Sequence, residues 1–122
     1  ALADMGMFFA ACGKQGKFLV PVGNAYPFLM MMGKIVCAWL LFWQAGIAQE
    51  KLGALCKAKG VNAADPLSLA PFLKENKDAA FYDGKVKSAK YFIKNVLPEV
   101  DAVVKAIKSE DLSMMEIADE GF

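Results

Sequence analysis

Few side chains in this chain are of the types that do chemistry, and their spacing is unhelpful to catalysis. Three cysteines, Cys12, Cys37 and Cys56, lie far apart with no C-x-x-C pair. With no histidine anywhere in the chain, nothing close at hand can activate a thiolate, so they read as small apolar residues of a reducing compartment. Glu116 and Glu120 stand at i and i+4 and would share a helix face. That is half of a two-metal carboxylate site, and no histidine exists to complete it. Together with Glu110, Asp111 and Asp119 they read as a solvated acidic tail. Gly13-Lys14-Gln15-Gly16-Lys17 has the glycines and lysines of a phosphate loop but neither its spacing nor its order, and reads as a connector. Lys85, Lys87, Lys90 and Lys94 put positive charge on one helix. That face could meet a phosphate, an acidic partner or anionic headgroups, or simply solvent.

All 14 basic residues are lysines, so the bidentate arginine fork for phosphate or carboxylate is missing. A net charge of +1 argues against nucleic acid as a partner. The apolar fraction, 57%, exceeds the usual half, and the excess needs cover. The chain opens on Ala1 in what reads as mid-helix, without a basic leader region, which predicts a fragment or a processed chain and no signal peptide.

The elements that would hold these residues are helical. Ala1 to Cys12 reads as a helix stopped by Gly13, followed by a connector to Gly23. Asn24 is placed to cap a helix of about thirty-five residues, roughly 50 Å long, that carries Pro27 in its first turn and ends at Gly60. Val61 to Lys77 reads as a loop with a short helix at Leu67–Leu73. Asp78 is a candidate cap for a second long helix. Its apolar residues, from Tyr82 and Val86 to Val104 and Ile107, recur at three and four. Pro98 should kink or restart that helix. Ser113 and Glu116 have capping-box spacing. The fold class expected is all-α, an up-and-down helical bundle with two long antiparallel helices plus shorter flanking ones, in a single domain over residues 1–122.

Phe28–Ile47 is long enough to cross a bilayer. Lys34 would then sit in hydrocarbon, and Trp39 and Trp43 would lie away from the interfaces, so a buried core helix is the preferred reading and a membrane the less favoured one. Trp39, Phe42 and Trp43 are expected as packing residues, with Trp39→Ala costing about 3–5 kcal/mol if that ring is buried. Gly33 and Gly84 are expected to allow close helix approach.

Two blocks carry a family resemblance. The first is Ala25-Tyr26-Pro27-Phe28-Leu29, Gly33, Ala38-Trp39-Leu40, Gln44-Ala45 and Ala48. The second is Phe81-Tyr82, Gly84-Lys85, Ala89-Lys90-Tyr91-Phe92 and Leu97-Pro98. In this order they resemble the helical C-terminal extension of larger bacterial FAD-dependent acyl-CoA dehydrogenases. Met114-Met115 and Glu120-Gly121-Phe122 also resemble that family's ending.

The resemblance implies a parent enzyme that forms 2-enoyl-CoA from acyl-CoA, passes electrons to an electron-transfer flavoprotein, and is a cytoplasmic homo-oligomer. It places the base and most flavin contacts in a preceding core, leaving this segment no catalytic residue, no metal and no cofactor of its own. Tyr26, Gly33, Trp39, Trp43, Phe81, Tyr82, Gly84, Phe92 and Pro98 are then candidates for structure or interface. The alternatives are a free-standing helical interaction module and a small membrane-anchored protein using Phe28–Ile47.

Overall fold

The computed structural model describes residues 1–121. They form six α-helices: α1 (Leu2–Lys14), α2 (Leu19–Gly23), α3 (Ala25–Lys59), α4 (Pro66–Glu75), α5 (Lys77–Tyr91) and α6 (Glu99–Lys108). A π-helical segment (Phe92–Val96) and 3-10 turns at Ser113–Met115 and Asp119–Gly121 complete the order, with no strand among the described residues. The all-α expectation holds, and α3 has the predicted length of 35 residues.

Backbone chemistry sets the helix ends. Gly16, not Gly13, stops α1: at φ +76° it lets Lys17 N–H donate to the Cys12 carbonyl and its own N–H to that of Gly13. Gly60, at φ +67°, closes α3 the same way, with Val61 N–H reaching the Cys56 carbonyl. Within the expected connector lies the single turn of α2, and the Asn24 side chain donates back to the Val20 carbonyl at 2.9 Å. Asn24 therefore ends α2 instead of capping α3 through its side chain.

Asp65 caps α4, accepting from Leu67 N–H ahead of Pro66 in the first turn. The cap of α5 is Asn76, whose Oδ1 accepts from both Asp78 and Ala79 N–H at 3.1 Å. Asp78 falls inside the first turn, where its charge meets the positive end of the helix dipole. Pro98 restarts the helix: α5 loosens into the π segment, and α6 begins with Pro98 as its N-cap. The capping box does not form. Ser113 N–H and Oγ both donate to Asp111 at the start of a 3-10 turn.

The chain resolves into two compact units, one of Ala1–Ile35 with Leu97 onward, the other of Val36–Val96. The first is centred on Met5, Met31, Val100 and Ile107, with Phe8, Phe9, Phe28, Ile35 and Val104 packed around them. Ion pairs Lys17–Glu110, Lys34–Glu99 and Lys108–Asp4 tie its helices together across long sequence separations. The lysine that interrupts the apolar run of α3 thus has a carboxylate partner on α6. Met114 is close to Gly23, where an added Cβ would meet its Cε at 3.0 Å.

The second unit is built on Leu52, Cys56, Phe72 and Ala79, with Leu55, Val61, Leu69 and Tyr82 against them. Its two long segments run antiparallel, since Ala54 and Leu55 of α3 meet Asp78 of α5 while Gln44 and Ala48 meet Lys85.

Candidate functional site

Helix α3 is apolar around its whole circumference, which predicts cover on all sides. In the first unit Phe28, Met31 and Ile35 pack on the core, and in the second Leu52 and Cys56 do so. Trp39, Phe42 and Trp43 remain 64%, 68% and 61% exposed. The expected burial of these rings is thereby corrected. Along an apolar stretch of α3 only 11% of residues are buried, and the helix is long and apolar enough to cross a membrane.

The exposed rings form a surface with shape. Trp39 and Trp43, one helical turn apart, stack at 6.4 Å between centroids with planes 20° apart. With Phe42, Gly46, Ile47 and Glu50 they line an open groove of about 490 Å³. Tyr26, Leu29, Met30 and Met32, on the part of α3 that belongs to the first unit, are exposed too. The close-approach expectation for Gly33 and Gly84 is not met, since a Cβ at either would have no atom within 4 Å.

A second groove, of about 310 Å³, lies between α3 and α5 in the second unit, lined by Gln44, Ile47, Ala48, Lys51, Phe81, Tyr82 and Lys85. Phe81 and Tyr82 meet edge to face at 5.6 Å. The Lys51 ammonium stands 5.7 Å from the centre of the Tyr82 ring, and that of Lys85 stands 5.3 Å from Phe81. The structure therefore unites Trp39 with Trp43, and Phe81 with Tyr82. Phe92 sits half-buried in the π segment and Pro98 at the start of α6. Lys51 was not read as part of any site. The i,i+4 spacing of Phe81 and Lys85 was the signal for one half of this groove, whereas Lys51 arrives from a different helix.

Three groups on the surface of the first unit have shifted pKa values. The hydrogen bond and charge of Glu110 raise the pKa of Lys17, and those of Lys108 lower that of Asp4. The Ser113 N–H, then its hydroxyl, hold Asp111 below the usual carboxylate value. No three of the Cys, Asp and Glu side chains among the described residues come together as a metal site. The groove along Trp39 and Trp43 does not fit a flavin dinucleotide: it is open, and the one charged side chain lining it is the Glu50 carboxylate, which would repel a pyrophosphate.

Comparison with known proteins supplies the family. The family model described as acetyl-CoA dehydrogenase C-terminal like matches residues 1–118. The chain belongs to that family. A butyryl-CoA dehydrogenase of Syntrophomonas wolfei is 30% identical over 88 residues, covering 72% of this chain and 12% of the relative. The broad-specificity linear acyl-CoA dehydrogenase FadE5 of Mycobacterium tuberculosis is 32% identical over 95 residues, 78% of this chain and 13% of the relative. The chain thus spans about an eighth of the length of these curated relatives. No solved structure matches it.

Proposed function

We propose that this chain is the non-catalytic C-terminal assembly domain of an FAD-dependent acyl-CoA dehydrogenase. The parent polypeptide would be a cytoplasmic homo-oligomer that forms 2-enoyl-CoA and passes electrons to an electron-transfer flavoprotein. Residues 1–122 act as one domain that docks on the preceding catalytic core, which carries the base and the flavin.

The observation that carries this reading is the uncovered side of α3. Three aromatic side chains of a type that buries ~150–250 Å² each in cores stay mostly in solvent. Covering them removes several hundred Å², a large part of the ~800 Å² that each side of a stable interface contributes. Relatives about six times longer than the chain supply a surface to do so. In this role Trp39, Trp43 and Tyr26 are interface residues. Gly33 leaves space for the covering surface, and Gly84 leaves the same on α5. Phe81, Tyr82, Phe92 and Pro98 shape the second unit and its exit into α6.

The test is hydroxyl-radical footprinting of Trp39 and Trp43 in the chain 1–122 and in the full-length polypeptide, alongside the flavin spectrum of the latter. Both rings should oxidise readily in the short chain and at least tenfold more slowly in a yellow parent that acyl-CoA bleaches. Equal reactivity in the two would overturn the docking role, and a colourless parent that acyl-CoA leaves unchanged would overturn the flavoenzyme.

A further inference from the structure

The groove between α3 and α5 has a chemistry of its own, separate from the tryptophan side of α3. Its floor is apolar, made by Ile47, Ala48 and the edge-to-face pair Phe81 and Tyr82. Its rim carries two ammonium groups, Lys51 and Lys85, each resting over a ring. Neither makes an ion pair among the described residues, as holds for most of the lysines. A ring face satisfies an ammonium only in part, so each retains the capacity to bind a carboxylate. The nearby Asp83 is already engaged by Lys87 at 2.6 Å. Asp78 lies beside Lys51 on the next groove along.

The complementary piece is at the other end of the sequence. Glu110 is paired with Lys17, and Asp111 is held by Ser113. That leaves Glu116, Asp119 and Glu120 with no ion pair among the described residues and Ile117 exposed between them. Three carboxylates around one branched aliphatic side chain match two ammonium groups around an apolar floor.

We propose that this groove receives the acidic segment Glu116–Gly121 of a second copy of the chain. Ile117 enters the floor over Phe81 and Tyr82, and the carboxylates reach Lys51 and Lys85. Each copy carries both groove and segment, so every copy can both give and receive the contact. The inference does not depend on the parent being a flavoenzyme.

The test uses the full-length polypeptide and a zero-length carbodiimide, which joins only an amine and a carboxylate already in contact. A mixture of ¹⁴N and ¹⁵N protein should give mixed-isotope links from Lys51 or Lys85 to the segment 116–120. Raising ionic strength to 1 M should lower their yield severalfold, because these charges are exposed and screened.

A charge exchange removes the ambiguity of simply deleting an amine. Lys51→Glu with Lys85→Glu in one preparation, and Glu116→Lys with Asp119→Lys and Glu120→Lys in another, each leave groove and segment with like charge and no link. Mixing the two preparations should restore links of both polarities, which can form only between copies. Wild-type links of a single isotope, links that avoid Lys51 and Lys85, or a mixture that stays unlinked would each overturn the proposal.

Discussion

The two units solve the same problem, covering a long apolar helix, with different completeness. The first surrounds Met5, Met31 and Ile107, all fully buried, and fastens its helices with Lys17–Glu110, Lys34–Glu99 and Lys108–Asp4. The second packs on Leu52, Cys56, Phe72 and Ala79, and its ion pair Lys87–Asp83 lies within a single helix. It leaves Trp39, Phe42, Trp43 and Phe81 in solvent, and Lys51 and Lys85 without carboxylates among the described residues. Both units also leave apolar side chains in solvent, Tyr26, Leu29 and Met30 in the first among them, so the contrast lies in how the helices are fastened.

Core substitutions should give the largest effects. Ile107→Ala empties a site of zero exposure in the first unit and should lower unfolding free energy by about 2–5 kcal/mol in a urea titration of the chain. Phe72→Ala in the second unit should cost about 3–5 kcal/mol. If Phe72→Ala proved nearly neutral, the second unit would lack a core and the contrast would be one of order against looseness.

A local cap comes next. Asn76→Ala removes the acceptor for Asp78 and Ala79 N–H and should cost about 1 kcal/mol, with hydrogen exchange faster in the first turn of α5. Asp78→Ala should cost less, since that carboxylate acts only through the helix dipole. The reverse ranking would restore Asp78 as the cap.

Exposed aromatics should matter least to the chain itself. Trp39→Ala and Trp43→Ala should each change its stability by no more than about 0.5 kcal/mol, as surface substitutions do. Fluorescence-monitored thermal unfolding of the single variants measures this, the remaining tryptophan serving as probe. A loss of several kcal/mol would mean that these rings are covered within the chain after all.

These contrasts also mark what the residues disclosed before the structure. The extent of α3, the short helix after Pro66 and a kink or restart at Pro98 were legible, because glycine and proline act on their own backbone. The periodicity of Tyr82 to Ile107 likewise gave the buried face of α5 and α6. The buried side of α3 was not legible. An apolar side chain declares that it needs cover, not where the cover comes from, and α3 is apolar on every side. Asn24, Asp78 and Ser113 each have a capping side chain, but which residue caps depends on where the backbone turns extended, as at Asn76 with ψ 105°. The groove of Lys51 and Lys85 joins two helices thirty residues apart, and only its Phe81–Lys85 half has a local spacing to betray it.

The smallest effect is a pH dependence that should belong to the first unit alone. Asp4 donates nothing when ionised and accepts from Lys108 Nζ at 2.8 Å, so its pKa lies below the ordinary 3.8. A carboxyl whose folded pKa is depressed contributes stability that is full above its unfolded value and is lost as pH falls through the folded one. The loss should therefore appear only below about pH 4, and Asp4→Asn should remove it while leaving the midpoint at pH 7 nearly unchanged, because both groups are exposed and screened. Asp111, held down by Ser113, titrates in the same window and with the same sign. The double variant Asp4→Asn with Asp111→Asn should flatten the acid limb further. Both carboxylates and their partners lie in the first unit, so protection from hydrogen exchange should fall from pH 5 to pH 3 more in α1 and α6 than in α4 and α5. Parallel loss in both would show that the two units unfold as one.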